Sequence, residues 1–427
     1  MALMRWFVWK TRATAGVTAL LLMSAGAGHA SDPPASFVVH ISMDGLRSDA
    51  ITAPGPDQLP NFRRLRTEGA FTANARPDHD HTFTLPNHVC QLTGRPVEGG
   101  VGHNWIDNFD PGPEVTLASN KGFYIAGVFD VAHDHGLRTG LFASKSKFSL
   151  FATSWDGTNG APDVTGPDNG RSKIDVFELN ESDTSALVDS LVGNMSTQAF
   201  QYVFLHLRDP DATGHMSGWD ITPGSAYSET IRVMDDRLGV IFRMIETNSL
   251  LTGRTALIVT ADHGGTFGGH GDPTAPEEYT IPFYVWGPGV MAGADLYALN
   301  PASRMNPGTT RPDAPEGLPP IHNAEAANVA LQMLGLEPVP GSVFNSAQDL
   351  AWGVPPPPDF RLTFSTSEVV MHFTMRTNVL YDIQSRGDLV SGVWTNDLVD
   401  IPGHGTGTNI ALPMSSPMHK YYRLRLH

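Results

Sequence analysis

Three short runs of the chain are apolar almost without a break, and each is followed by a carboxylate. Phe37-Val-Val-His-Ile-Ser-Met43 leads to Asp44-Gly45, Gln201-Tyr-Val-Phe-Leu-His-Leu207 to Arg208-Asp-Pro-Asp211, and Thr255-Ala-Leu-Ile-Val-Thr260 to Ala261-Asp-His-Gly264. Runs of this length without polar alternation are strands buried on both faces. Helix-like stretches lie between them: Leu59 to Glu68, Ser185 to Gln198 and Tyr227 to Thr247. Strands of that kind alternating with helices predict an α/β sandwich, a largely parallel sheet with helices on both faces. In such sheets ligands collect beyond the carboxyl ends of the strands, so the three acids define a candidate site.

The chain has 427 residues, 41% of them hydrophobic, enough for a full-sized core and too many for a disordered chain. A net charge of −16 argues against binding nucleic acid or an anionic membrane through a basic surface. The single cysteine, Cys90, excludes an intrachain disulfide and cysteine-based zinc fingers, so any metal must be held by histidines and carboxylates. Residues 1–30 have a basic start (Arg5, Lys10, Arg12), a weakly apolar middle and small residues at Ala25-Gly-Ala27 and Gly28-His-Ala30. They read as a signal peptide of a secreted or periplasmic protein, and no later segment is long and apolar enough to span a bilayer. Residues 31–353 form the catalytic domain in this reading. The prolines of 354–358 form a stiff linker, and 359–427, with its alternating pattern, forms a small β module. That module is expected to attach to a surface, a glycan or a protein.

The residue types at the strand ends suit metal chemistry. Asp262-His263-Gly264 sets a carboxylate beside an imidazole, and both can face one cation. Asp211 and His215 are four apart and share a face if the loop coils into a helical turn. The glycine-rich loop after His263 can fold His270 back towards them. In Thr82-Phe-Thr-Leu-Pro-Asn-His88, Thr84 precedes Pro86, which suits a helix N-terminus with its N–H groups and positive dipole end at the hydroxyl.

The ordered set resembles the alkaline phosphatase superfamily, in particular its type I phosphodiesterase/nucleotide pyrophosphatase branch. The matching segments are Asp44-Gly-Leu-Arg47, Pro60-Asn-Phe-Arg-Arg-Leu65, Thr84-Leu-Pro-Asn-His88, Thr93-Gly94, Gly102-His-Asn104, Pro210-Asp-Ala-Thr-Gly-His215, Ala261-Asp-His-Gly264 and His270-Gly271 ahead of Ile281-Pro-Phe-Tyr-Val-Trp-Gly-Pro-Gly289. The resemblance implies two zinc ions, one held by Asp211, His215 and His270, the other by Asp44, Asp262, His263 and the Thr84 oxygen. It implies Thr84 as nucleophile through a phosphothreonine, Asn104 on a phosphate oxygen, and a phosphoester small molecule as substrate. Three carboxylates and three imidazoles suit zinc better than calcium or magnesium, which favour all-oxygen shells.

Two other functions compete with phosphodiester or pyrophosphate cleavage. Lys145-Ser-Lys147 resembles a basic pair of one monoesterase class in which both cations bind the extra phosphate charge, so Lys145 and Lys147 are candidate substrate-binding residues of a phosphomonoesterase. The other is a secreted, non-catalytic binding protein on a hydrolase scaffold. Sulfatases place a modified Cys or Ser in a Cys-x-Pro-x-Arg setting, where this chain has Thr84 and His88. Several further residues have plainer readings. Asp134-His135-Gly136 reads as a helix end, Asp78-His-Asp-His81 as a solvated loop and Cys90 as a core residue. His103 orients Asn104, His404 sits in a turn, and His322 is a rival to His270 as metal ligand.

Overall fold

The computed structural model describes residues 33–55, 58–311 and 317–353, together with 361–364, 368–374, 380–386, 393–402, 407–413 and 421–426. The leading segment 1–30, the prolines 354–358 and His404 lie outside the described residues. Residues 30–354 and 355–427 fall in separate compact units.

Among the described residues, the larger unit is built on eight strands: β1 Phe37–Met43, β2 Ala70–Ala75, β3 Thr139–Ala143, β4 Val176–Leu179, β5 Tyr202–Leu207, β6 Thr255–Thr260, β7 Ile281–Trp286 and β8 Ala294–Asp295. Their order across the sheet is β4-β3-β5-β1-β6-β7-β2-β8. The three strands legible as apolar runs are the central neighbours β5, β1 and β6, and all three are wholly buried. Both β5 and β6 pair parallel to β1, with Val39 opposite Val203 on one side and Leu257 on the other. The pairing of β3 to β5 and of β4 to β3 is also parallel. Only β7 runs against its neighbours β6 and β2. The carboxyl ends of β3, β5, β1 and β6 therefore open at one edge, where Ser144-Lys145, Arg208 to Asp211, Asp44 and Ala261-Asp262 follow them.

Helices form where apolar residues recur at helical spacing. Ala226–Thr247 starts with the Ser225 hydroxyl accepting from Ser228 N–H at 3.1 Å and buries Ile231, Met234, Leu238, Ile241 and Ile245. Thr184–Thr197 is capped by Asp183, whose carboxylate accepts from Ser185 and Ala186 N–H. Pro60–Glu68 carries proline in its first turn, where no N–H is needed. Asp235 then takes the Asn61 and Phe62 N–H groups at 2.9 and 2.7 Å, completing that helix start from another helix.

Among the described residues, the smaller unit has two antiparallel three-stranded sheets. One is β13-β10-β9, with β9 Arg361–Phe364, β10 Glu368–Thr374 and β13 Gly407–Pro413. The other is β12-β11-β14, with β11 Leu380–Arg386, β12 Thr395–Pro402 and β14 Tyr421–Leu426. Val369, Met371, Phe373, Tyr381, Ile383, Leu412 and Tyr422 form its core.

Candidate active site

Asp44 is the first residue past β1, and its N–H bonds the Leu207 carbonyl at the end of β5 at 3.0 Å. Gly45 follows with φ 69°, and a Cβ there would lie 2.9 Å from Asp211 Cα, so only glycine lets the chain turn this close to its neighbour. Asp211 N–H in turn bonds the Asp44 carbonyl at 2.9 Å. Asp211 and His215 lie one turn apart on the helix Asp209–Ser217, the helical turn that their spacing predicted. Asp262 follows β6 and accepts Gly45 N–H at 3.0 Å and His263 N–H at 2.9 Å through Oδ1.

Two clusters result. The ligating atoms of Asp211, His215 and His270 lie within 4.8 Å of one another, and so do those of Asp44, Asp262 and His263. His263 and His270 link the two, their rings stacked at 3.7 Å. His263 Nδ1–H donates to the Gly264 carbonyl at 2.7 Å and His270 Nδ1–H to the Thr82 carbonyl at 2.6 Å. These bonds fix the tautomers that turn a bare Nε2 into the site, the usual arrangement of a metal-ligating imidazole. His270 Nε2 faces His215 Nε2 at 3.1 Å and Asp211 Oδ1 at 3.5 Å.

Thr84 opens the helix Thr84–Thr93, as Pro86 suggested, and is buried. Its Oγ1 is 3.5 Å from Asp44 Oδ1, 3.4 Å from His263 Nε2 and 3.4 Å from Lys145 Nζ. The Lys145 ammonium reaches both clusters, at 2.7 Å from Asp44 Oδ2 and 2.6 Å from Asp211 Oδ2. Lys147 turns elsewhere, donating to the Asn108 carbonyl at 2.6 Å and to Asn108 Oδ1 at 3.2 Å. Asn104 is exposed, at φ 58°, with its N–H on the Val97 carbonyl at 2.7 Å and its own carbonyl taking Asn120 Nδ2 at 2.7 Å.

Burial and close neighbours pull the site's carboxyls apart. Burial acts to raise Asp44, but Lys145 and the His206 hydrogen bond outweigh it and hold this carboxyl well below its usual range. Asp211 is likewise lowered, to about 2, against burial and the Asp44 charge, by His215 and Lys145. Burial and the adjacent Asp44 push Asp262 well above the ordinary carboxylate range. Burial and the neighbouring His270 bring His263 down to about 3. Asp211 Oδ1 and Asp262 Oδ2 are buried without a hydrogen-bond partner. Orphaned carboxylate oxygens facing bare imidazole nitrogens suit divalent cations at both clusters, with nitrogen and oxygen donors appropriate to zinc.

Residues to which the motifs gave no ligand role complete the surround. His206, inside β5, donates from Nε2 to Asp44 Oδ2 at 2.8 Å, and its Nδ1 accepts Ser144 N–H at 3.3 Å. His88 bonds the Thr84 carbonyl through Nδ1 at 2.7 Å and Ser42 Oγ through Nε2 at 2.9 Å. Asn323 Nδ2 holds the Ala261 carbonyl at 3.1 Å. Neither metal-type cluster contains His322, which packs on Phe344 with ring centroids 4.5 Å apart. His103 Nδ1 accepts Trp105 N–H at 3.0 Å, and its Nε2 meets Cys90 Sγ at 3.3 Å. Asp78 caps its own loop, accepting Asp80 and Val97 N–H. A third cluster, His133, Asp134 and Asp163, surrounds the buried Lys173 ammonium, which bonds Asp134 Oδ1 at 2.9 Å and also pairs with Asp163. Its cation is a side chain, in keeping with a structural reading of that helix end.

Comparison with known proteins bears on the same segment. The family model described as type I phosphodiesterase / nucleotide pyrophosphatase matches residues 38–273. Human ectonucleotide pyrophosphatase/phosphodiesterase family member 7 is 26% identical over 266 residues, covering 59% of this chain and 53% of that protein. Mouse GPI ethanolamine phosphate transferase 1 is 37% identical over 277 residues, covering 60% of this chain and 27% of that protein. The chain thus spans about half the length of the first relative and about a quarter of the second. Among solved structures, one bound to its substrate D-glucosamine-2-N,6-O-disulfate superposes with TM-score 0.50 at 12% identity, covering 79% of this chain and 89% of that one, a likeness of fold. Murine ectonucleotide pyrophosphatase/phosphodiesterase 5, an inactive variant in complex with AMP, gives 0.49 at 17% identity over 74% of this chain and 99% of that one.

Proposed function

Because the chain belongs to the type I phosphodiesterase/nucleotide pyrophosphatase family, we propose that it is an exported two-zinc hydrolase of phosphodiester or pyrophosphate bonds, with Thr84 as nucleophile. The observation that carries this reading is the Thr84 hydroxyl at a helix start, 3.4–3.5 Å from Asp44, His263 and Lys145, beside the cluster of Asp44, Asp262 and His263. Asp211, His215 and His270 would hold one ion and Asp44, Asp262 and His263 the other. Zinc bound there would lower the pKa of the Thr84 hydroxyl and neutralise charge on the phosphate and the leaving oxygen. Thr84 Oγ1 attacks phosphorus, the P–O bond to the leaving group breaks, and water later cleaves the Thr84 phosphoester and restores the hydroxyl. Lys145 sets a fixed positive charge beside the attacking oxygen, and Asn104 is the donor assigned to a phosphate oxygen. The names of the relatives agree with a phosphate that already carries one ester, since ethanolamine phosphate is such a group. The basic and then apolar first thirty residues support export. Among the described residues no helix is long and apolar enough to cross a membrane.

A second reading, phosphomonoesterase, has one observation in its favour: the 3.4 Å approach of Lys145 Nζ to Thr84 Oγ1, where it would also meet the extra charge of a dianionic monoester. One assay addresses both, using zinc-loaded protein with a nitrophenyl diester and the matching monoester. Thr84→Ala is expected to lower diester turnover by about three orders of magnitude or more, the scale of losing a nucleophile. Wild-type turnover in that variant would overturn the proposal. Selective loss of monoester activity in Lys145→Ala would favour the second reading, and unchanged selectivity would count against it.

A further inference from the structure

One tryptophan touches all three chain segments that carry the metal-type clusters. Trp219 follows the helix Asp209–Ser217 and is buried. Its Nε1–H donates at 3.1 Å to the carbonyl of Gly45, the residue after Asp44. A Cβ on Gly214, the residue before His215, would lie 2.1 Å from the indole, and one on Gly265, two residues after His263, would lie 2.2 Å from it. The ring therefore approaches both main chains more closely than a residue with a Cβ permits. Neither glycine has the left-handed φ that calls for glycine by itself. Gly214 also stands inside a helix, where glycine is a poor choice. Room for the indole accounts for both. Arg47 closes the contact: its Nη1 donates to the Trp219 carbonyl at 3.2 Å and to the Gly265 carbonyl at 3.3 Å.

The ligand on which this contact bears is His215. It is the exposed member of its cluster, and its Nε2 faces His270 Nε2 at 3.1 Å. Among the described residues no hydrogen bond holds its Nδ1, whereas His263 and His270 are each fixed through Nδ1 by a carbonyl. In place of such a bond the Trp219 ring stands edge-on to the His215 imidazole, with centroids 5.0 Å apart and planes at 76°. The same ring reaches His270 at 6.1 Å.

From this geometry we propose that Trp219 is a positioning residue for His215, standing in for the hydrogen bond that the other two imidazoles have, and that Gly214 and Gly265 are glycine in order to admit its ring. The inference rests on the proposed two-zinc reading of the site. It predicts an asymmetry. Loss of the indole loosens the ion at Asp211, His215 and His270. The ion at Asp44, Asp262 and His263 stays in place, because the Gly45 carbonyl keeps a second donor, the Tyr227 hydroxyl at 2.7 Å.

The experiment is a stepwise zinc titration of the full chain against a competing chelator, with Trp219→Leu, Trp219→Phe, Gly265→Ala, His215→Ala and the double variant of Trp219→Leu with His215→Ala. Trp219→Leu should weaken one of two zinc ions by about tenfold to a hundredfold, the scale on which groups that orient a ligand act, and leave the other unchanged. Trp219→Phe, which keeps a flat ring between the glycines, should recover most of that affinity. Gly265→Ala, which displaces the indole without removing it, should repeat the loss, and it keeps the test decisive if Trp219→Leu does not fold. The double variant should bind zinc no more weakly than His215→Ala, since both changes act through one ligand. Equal weakening of both ions, a Trp219→Phe as weak as Trp219→Leu, or additive losses in the double variant would overturn the proposal and leave Trp219 an ordinary core residue. Hydrogen exchange gives a readout free of metal. In zinc-free protein, peptides covering 264–271 should exchange faster in Trp219→Leu and Gly265→Ala, while peptides from the Thr184–Thr197 helix stay unchanged. Unchanged exchange over 264–271 would overturn the contact even if zinc affinity falls. If the wild type takes up fewer than two zinc ions, the two-zinc reading fails, and the exchange measurement still decides whether Trp219 holds these segments.

Discussion

The Asp44 carboxylate gives Oδ2 to His206 and Lys145 and leaves Oδ1 facing Thr84 Oγ1 and His263 Nε2. One oxygen is thus fully occupied and the other is aimed. His206 is the less conspicuous of the two holders, and it fixes the carboxylate plane because its own ring is pinned by the Ser144 N–H. Partners of this kind typically contribute ten- to a hundredfold in metal affinity. His206→Ala should therefore weaken binding of the proposed zinc by about that factor in a chelator competition, with the far-ultraviolet spectrum unchanged. Undiminished affinity would show that Lys145 suffices to orient Asp44. The residue itself was not legible in the sequence. It stands within an apolar run, where a single histidine reads as core, and Asp44 is 162 positions away. Asp44, Asp211, Asp262 and His263 were legible because each follows an apolar strand, and His215 because it stands one helical turn from Asp211.

Among the elements, the short helix Val128–Asp134 and the loop after Trp155 show how a charged cluster can be structural. Lys173 is wholly shielded from solvent between Asp134 and Asp163, and the Asp163 carboxylate also takes His133 Nδ1 at 2.9 Å. The Lys173 carbonyl accepts Thr139 Oγ1 at 2.7 Å, so the loop is tied to the first residue of β3 as well. Removing the ammonium leaves two enclosed carboxylates face to face. Lys173→Met should cost about 3 kcal/mol, the scale for breaking a buried ion pair, read from urea unfolding. Adding Asp134→Asn and Asp163→Asn to it should recover much of the loss. If calcium rescued Lys173→Met instead, the cluster would have to be counted as a metal site. The sequence placed this segment at a helix end and not at a catalytic centre. It did not reveal Lys173 as the reason, since a lysine in a polar loop ordinarily reads as solvated. Strand order was similarly half legible. The buried strands announced the centre of the sheet, whereas β2, Ala-Phe-Thr-Ala-Asn-Ala, carries too little apolar bulk to stand out.

At the scale of the whole molecule, acid should unfold the protein for a reason separate from the metal-type clusters. His40, His103 and His322 are buried, and burial drives each down to about 3. In the unfolded chain they titrate near 6.5. Between these values the unfolded chain binds protons that the folded chain refuses, so stability falls as pH falls through that window and is unaffected above it. Each histidine contributes up to about 1.4 kcal/mol per pH unit there. Urea midpoints should decline steeply from pH 6.5 to pH 4, and His40→Asn or His322→Asn should flatten the slope. A slope unchanged by both variants would mean that other groups govern acid lability. The packing that buries these rings also brings the strand ends together, and one bond in it has a wider consequence. The Asp211 N–H on the Asp44 carbonyl, with Gly45 pressed against Asp211, joins the two halves of the site through main chain. Side-chain replacement can alter the donors on either side, while the spacing between the two clusters stays fixed. A lineage built on this frame is free to trade customers at the rim without re-cutting the gauge beneath.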